Sequence, residues 1–141
     1  MVDVGQSVEV AKFQKGLFVV YFYPKDNTPG CTIEAQDFSK LLPEFKKLSA
    51  EVYGVSQDDD TSHQKFTQEC NLSVPLIADV DGTVCNAFGA IGEKMNFGKK
   101  YIGIIRSTFI IQNGVVLKRW KAVQVKEHAR KVLSSLEGLI K

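Results

Sequence analysis

The chain has 141 residues, of which 44% are hydrophobic and 24% are charged, and its formal net charge is +2. This length and composition are typical of one globular domain, residues 1–141, with a core large enough to fold without disulfide or metal support. The small net charge, carried by lysines spread along the chain, argues against nucleic-acid binding. No apolar run approaches a membrane span, so we expect no membrane partner.

The cysteines indicate a reducing compartment. Cys31, Cys70 and Cys85 are an odd number and include no Cys-x-x-Cys pair, so they cannot form a closed disulfide framework. His63 and His128 stand at no metal-binding spacing from them, and we expect no metal site. The first residues lack the basic and apolar segments of a signal peptide, which favours a cytoplasmic location.

The first predicted strand leads into the most informative turn of the chain. Residues 17–23 are an apolar run rich in β-branched and aromatic side chains, as in a buried central strand. The turn from Pro24 to Gly30 ends at Cys31, where a helical pattern begins. Unpaired amides and the positive end of the helix dipole would favour the thiolate of Cys31 over the thiol. Thr28 is close enough in sequence for its hydroxyl to reach the sulfur, and Gly30 would let a substrate approach the backbone.

The following elements alternate between strands and helices. The acidic run 58–60 is predicted to be a solvated helix cap. Pro43 is predicted to break the first helix near residues 41–42 and to begin a second helical piece. In chain order we predict a strand at 51–56, a helix at 61–70, a strand at 75–78, a helix at 83–88 and a long loop at 92–103.

The last third of the chain carries a hairpin signal. Asn113-Gly114 separates apolar runs at 107–111 and 115–120, which predicts two antiparallel strands. Trp120 is predicted to be core or half-buried, and an amphipathic helix closes the chain from about residue 126. This order predicts an α/β protein with a mixed central β-sheet flanked by helices on both faces, as in a thioredoxin-like core.

A working cysteine needs a positive charge nearby, and Arg106 is the best candidate because it precedes a core strand. Together, Pro24-x-x-x-Thr28-x-x-Cys31 and Arg106-Ser107-Thr108-Phe109 resemble the peroxiredoxin family. The wider run from Tyr21 to Ala35 is similar to the bacterioferritin comigratory protein group, also called peroxiredoxin Q, and the likeness extends from about Gly5 to the C-terminus.

This resemblance implies a thiol-dependent peroxidase that acts on hydrogen peroxide and organic hydroperoxides without metal, haem or flavin. Cys31 would be the peroxidatic cysteine that becomes sulfenic acid. Thr28 and Arg106 would orient the peroxide with the amides of Gly30 and Cys31, and Pro24 would shield the sulfenate.

The chain departs from this group where a second cysteine is expected. Gln36 and Thr67 occupy the two positions at which members carry a resolving cysteine, and Cys70 lies one helical turn beyond Thr67. We therefore favour a one-cysteine cycle regenerated by thioredoxin, glutaredoxin or a small thiol, with resolution by Cys70 as the alternative. Cys85 is predicted to be a buried small hydrophobe.

Other readings are kept open. Members of the group begin further upstream with a hairpin that we expect to be shortened here, which would expose a sheet edge. Glu34 is either a plain helix-face acid or part of the active-site loop, and His63 and His128 are predicted to be ordinary helix residues. We expect a monomer or weak dimer. A non-catalytic redox-sensing module is the rival function, and a disulfide oxidoreductase is disfavoured by the missing Cys-x-x-Cys.

Overall fold

A five-stranded mixed sheet forms the centre of the computed structural model, which describes residues 1–140 apart from the side chain of Asn96. Its strands are β1 (Leu17–Phe22), β2 (Ala50–Ser56), β3 (Leu76–Ala78), β6 (Ser107–Gln112) and β7 (Val115–Trp120). They lie in the order β3-β2-β1-β6-β7. Strand β1 lies between β2, to which it is parallel, and β6, to which it is antiparallel, and it is buried along its whole length.

Helices cover both faces of this sheet. The helices are α1 (Pro29–Lys47), α2 (Asp60–Glu69), α3 (Thr83–Phe88) and α4 (His128–Leu139). Alternate side chains of β1 point to opposite faces, so Tyr21 packs in one core with α1, α2 and α4, while Phe22 packs in the other with α3 and the short 3-10 helix Ala11–Phe13. The predicted thioredoxin-like α/β architecture is confirmed. No helix among the described residues is long and apolar enough to cross a bilayer.

The predicted break at Pro43 is wrong. Helix α1 runs without interruption for 19 residues with Pro43 inside it. Proline removes one backbone hydrogen bond there, but Leu42 and Phe45 on either side of it are both buried in the core. Burial of this apolar face outweighs the lost hydrogen bond, so tertiary packing keeps the helix whole.

The predicted loop at 92–103 is also wrong. These residues lie in a two-stranded antiparallel hairpin of β4 (Ile91–Asn96) and β5 (Lys99–Ile104). Phe97 and Gly98 form the turn, both with positive φ, at 52° and 77°. Because the outer half of the hairpin is exposed on both faces, its sequence lacks the alternation that reveals a half-buried strand.

The N-terminal residues cover the edge that we expected to be exposed. Backbone hydrogen bonds join Gly5 N to Val116 O, Val116 N to Gln6 O and Val8 N to Gly114 O. The predicted hairpin around Asn113-Gly114 is present, with φ values of 50° and 81° that suit a tight turn between β6 and β7. Residues 5–8 thus protect the polar edge of β7 from pairing with another chain.

Candidate active site

The turn that follows β1 delivers Cys31 to the start of α1. Thr28 is the residue before the helix, Pro29 is the first helical residue, and Cys31 is the third. Thr32 N is the first amide to bond within the helix, to Thr28 O at 2.9 Å, so the amides of Gly30 and Cys31 have no partner within it. The predicted placement of the thiol in the first helical turn is confirmed, and its side chain is 1% exposed.

Arg106 reaches the sulfur from the neighbouring strand. Register pairs Phe22, at the end of β1, with Ser107, at the start of β6, so both flanking turns meet at one end of the sheet. Arg106 Nη2 lies 3.0 Å from Cys31 Sγ, and its Nη1 donates to Glu34 Oε1 at 2.7 Å. The structure therefore brings together the cysteine and the arginine that the sequence singled out.

Glu34 belongs to the site and is not a solvated acid. It lies one turn after Cys31 on α1 and is 1% exposed. Burial raises the pKa of the Glu34 carboxyl to about 7, although the nearby positive charge of Arg106 acts to lower it. Burial alone would lower the pKa of Arg106, but Glu34 and Cys31 raise it above its ordinary value. The guanidinium thus stays charged beside the sulfur.

Two buried oxygens near this site are unsatisfied. Glu34 Oε2 and the Tyr21 hydroxyl have no hydrogen-bond partner among the described residues. Burial raises the pKa of Tyr21 well above its usual range, and the nearby Glu34 and Cys31 add to the shift. Tyr21 is therefore a neutral phenol that stacks on Phe38, with ring centroids 4.5 Å apart.

Thr28 and Pro24 lie in the turn that leads to Cys31. The Thr28 hydroxyl donates to the Lys25 carbonyl at 2.9 Å, which fixes its orientation and leaves its oxygen lone pairs able to accept. Pro24 is exposed directly after Tyr23, and Gly30 is half-buried with Arg106 Nη2 3.5 Å from the position of an added Cβ. A larger residue at 30 would narrow the approach to the arginine.

The other cysteines differ sharply in environment. Cys70 ends α2, is half-buried, and its Sγ lies 3.6 Å from Asn27 Oδ1 in the turn that precedes α1. Cys85 is fully buried on α3, and burial raises its pKa well above the ordinary value, as predicted for a structural thiol. Gln36 is exposed on α1.

Sequence reasoning missed a buried polar cluster behind the turn. His63 and Asp26 are both buried and lie 2.8 Å apart, Nδ1 to Oδ2. His128 is buried too, and its Nε2 lies 2.8 Å from Thr108 Oγ1. Both histidines lie on helices, as predicted, but their burial and hydrogen bonding were not foreseen. The available signal was His63 one turn before the buried Phe66, which places both on the core face of α2.

Asp59 of the acidic run caps α2, as predicted, by accepting from Ser62 N at 2.9 Å. Asp58 has a different partner, because its Oδ2 accepts a hydrogen bond from the backbone N–H of Asp26 at 2.8 Å. The predicted cap therefore also anchors the turn that leads to Cys31.

The sheet is thioredoxin-like, a buried cysteine lies at the start of a helix, and a half-buried arginine contacts its sulfur. Together these features define a thiol peroxidase of the peroxiredoxin class. Residues 2–119 match the model of the AhpC/TSA family. A Bcp peroxiredoxin of Helicobacter pylori is 56% identical over 119 residues, which cover 84% of this chain and 78% of its own. The Bacillus subtilis peroxiredoxin Bcp is 41% identical over 138 residues, covering 97% and 88%.

A solved structure agrees with these relatives. The bacterioferritin comigratory protein of Xanthomonas campestris, described for its reduction of alkyl peroxides, superposes with a TM-score of 0.86 at 44% identity, covering 92% of this chain and 83% of its own. The chain belongs to the AhpC/TSA family, within the bacterioferritin comigratory protein group of peroxiredoxins. The predicted activity class, a thiol-dependent peroxidase, is confirmed.

Proposed function

We propose that Cys31 is the peroxidatic residue and that it reduces hydrogen peroxide and organic hydroperoxides. The contact of 3.0 Å between Arg106 Nη2 and Cys31 Sγ carries this assignment. A positive charge beside sulfur favours the thiolate, which is the attacking form. The relative from Xanthomonas campestris, described for alkyl peroxide reduction, supports the inclusion of organic hydroperoxides.

In the proposed step the thiolate sulfur of Cys31 attacks the terminal oxygen of the hydroperoxide. A sulfur–oxygen bond forms while the oxygen–oxygen bond breaks, and the electron pair leaves with the second oxygen. That oxygen takes a proton and departs as water or an alcohol, and sulfur becomes sulfenic acid. Arg106 and the amides of Gly30 and Cys31 stabilise the negative charge that moves onto the leaving oxygen.

Thr28 is assigned to orient the peroxide. Because its hydroxyl already donates to Lys25 O, its lone pairs can accept a hydrogen bond from the hydroperoxide O–H. Glu34 acts through Arg106, whose Nη1 it holds at 2.7 Å. We assign Pro24 to the rim of the site, where it limits the access of water to the sulfenate.

We propose a one-cysteine cycle in which an external thiol, from thioredoxin, glutaredoxin or a small molecule, returns Cys31 to the reduced state. Gln36 and Thr67 offer no thiol at the two positions where the resemblance to this group implies a resolving cysteine. Three unpaired cysteines suit a reducing compartment such as the cytoplasm, and we propose that the enzyme works there as a monomer or weak dimer.

One observation favours a second cycle. Cys70 contacts Asn27, which lies in the same turn as Thr28, so the end of α2 adjoins the peroxidatic segment. In this alternative the Cys70 thiol attacks the sulfenic sulfur, a disulfide forms and water leaves. The two α-carbons must come within about 7 Å for that bond to form.

The assignment of Cys31 is tested by peroxide consumption with dithiothreitol as reductant. The wild-type enzyme should turn over many equivalents, and Cys31→Ser should consume none beyond the background rate. Cys70→Ser is the matched control, because dithiothreitol reduces the sulfenic acid directly and turnover should persist. Turnover by Cys31→Ser would disprove the assignment.

The cycle is tested by intact mass after one equivalent of peroxide. A gain of one oxygen indicates a lone sulfenic acid and the one-cysteine cycle. A loss of two hydrogens indicates a disulfide, and its disappearance in Cys70→Ser would establish Cys70 as the resolving residue.

A further inference from the structure

Asp26 anchors the turn of residues 24–30, which leads to Cys31 and is called the peroxidatic turn below, to the neighbouring helix α2. It lies two residues before Thr28 and is buried, with each carboxylate oxygen engaged. Oδ1 accepts from the Tyr23 hydroxyl at 2.6 Å. Oδ2 accepts from Ser62 Oγ at 2.7 Å and contacts His63 Nδ1 at 2.8 Å, and both of these residues belong to α2.

Both ring nitrogens of His63 are engaged. Nε2 lies 3.1 Å from the carbonyl oxygen of Ile77 on β3, while Nδ1 faces the Asp26 carboxyl group. The Ile77 carbonyl only accepts hydrogen bonds, so Nε2–H donates to it, and Nδ1 and Oδ2 share a second hydrogen bond. Asp26 and His63 are therefore a buried hydrogen-bonded pair that joins the turn, α2 and β3.

The backbone of the turn needs such an anchor. Asn27, next to Asp26, has a φ of 59°, in the left-handed region that a non-glycine residue adopts at a cost. The Asp58 carboxylate accepts a hydrogen bond from the backbone N–H of Asp26 at 2.8 Å. Asp26, which precedes the strained Asn27, is therefore held through both its side chain and its backbone. Thr28 follows Asn27, so the orientation of its hydroxyl depends on the backbone conformation at Asp26 and Asn27.

We propose that the hydrogen-bonded Asp26–His63 pair positions the peroxidatic turn, so that His63 is a positioning residue for the attack of Cys31 on peroxide. The inference rests on the proposed role of Cys31. His63 does not contact the reacting atoms, since its partners are Asp26, Tyr23 and the Ile77 carbonyl. It acts by fixing the segment from Asp26 to Thr28, and therefore the distance between the Thr28 oxygen and the sulfur.

The test separates the peroxide step from the reductive step. In His63→Ala the rate constant for oxidation of Cys31 by hydrogen peroxide should fall about 10- to 100-fold, as expected when reacting groups shift by less than about 1 Å. Reduction of the oxidised enzyme by dithiothreitol should keep its rate. His63→Gln retains a side-chain donor toward Asp26, so it should recover part of the lost rate.

Two controls distinguish positioning from a general loss of stability. Gln64→Ala changes the exposed neighbour of His63 on α2 and should leave both rates unchanged. Val116→Ala removes buried volume from the opposite core, so it should lower stability but not the rate of peroxide attack. An unchanged rate in His63→Ala, or an equal fall in Val116→Ala, would overturn the proposal.

The contact itself is tested on the wild-type enzyme, which keeps the proposal falsifiable if His63→Ala does not fold. In the reduced protein the ring N–H protons of His63 should exchange slowly with solvent, as expected for buried hydrogen-bonded groups. Exchange as fast as that of an exposed histidine would overturn the proposed anchor. A wild-type enzyme without peroxidase activity would instead disprove the role of Cys31, so the two failures are distinguishable.

Discussion

Arg106 and Cys31 are separated by 75 positions in the sequence and by 3.0 Å in the structure. The antiparallel pairing of β1 with β6 produces this proximity, because the residues that flank the site at Phe22 and Ser107 are register partners. Glu34 then holds the second terminal nitrogen of Arg106. The guanidinium is fixed as a fork with one nitrogen on sulfur and one on a carboxylate, a geometry that lysine cannot reproduce.

Replacement of Arg106 by lysine should therefore lower kcat/KM for peroxide by about 100-fold or more, the effect of losing one fixed donor to a developing negative charge. The measurement is stopped-flow oxidation of Cys31 by hydrogen peroxide. Arg130→Lys, which changes an exposed arginine on α4, is the matched control and should retain the wild-type rate. Equal rates for Arg106→Lys and wild type would rule out a role for the fork.

Glu34 should make stability depend on pH. Its pKa in the folded protein is about 7, above its ordinary value, so the unfolded chain releases this proton more readily. Stability is therefore lost as pH rises from about 5 through 7, by an amount on the order of 3 kcal/mol. Urea unfolding at pH 5 and pH 8 measures this loss as the difference between the wild type and Glu34→Gln, because the opposing contribution of His128 is present in both proteins. The exposed Glu44→Gln should behave as the wild type, and an equal change in stability between pH 5 and pH 8 in the wild type and in Glu34→Gln would contradict this account.

His128 should resist protonation. Burial lowers its pKa to about 4, with Lys131 and Arg106 adding to the effect. The unfolded chain binds this proton near pH 6.5, so the contribution of His128 to stability is complete above that pH and is lost as pH falls toward 4. Proton NMR should show the His128 ring titrating near pH 4, and a midpoint near 6.5 would contradict its buried contact with Thr108.

The close approach of Gly54 to Tyr21 allows a test of how tightly the core is packed. A Cβ at Gly54 would lie 2.5 Å from the Tyr21 hydroxyl and 2.9 Å from Leu76 Cδ2. Gly54→Ala should therefore lower the free energy of unfolding by about 1–3 kcal/mol. Tyr21→Phe should be neutral or stabilising because it removes an unsatisfied buried hydroxyl. Chemical denaturation of both single variants and the double variant measures this, and the double variant should keep most of the loss because the ring carbon Cζ of residue 21 would still lie 2.6 Å from the added Cβ.

Features encoded by neighbouring residues could be predicted from the sequence. The buried run of β1, the turn at Asn113-Gly114 and the placement of Cys31 at a helix start depend on local pattern, and the structure has each of them. Arg106 was predicted as the partner cation from its place before a core strand. Its contact with Cys31 agrees with that expectation.

What could not be predicted depends on contacts distant in sequence. Pro43 remains helical only because its neighbours are buried against the rest of the core, and the hairpin of β4 and β5 is too exposed to show periodicity. The pairing of Asp26 with His63 joins residues 37 positions apart, and no local pattern reports it. Tertiary packing decides each of these cases.

The antiparallel pairing of β1 with β6 also sets the order in which the site is assembled during synthesis. Cys31 leaves the ribosome long before Arg106, and the two residues meet only after β6 has been made and inserted beside β1. The emerging thiol therefore lacks its guanidinium partner while most of the chain is being translated. A polypeptide that ends before residue 106 contains Cys31 without the cation that contacts its sulfur in the complete fold.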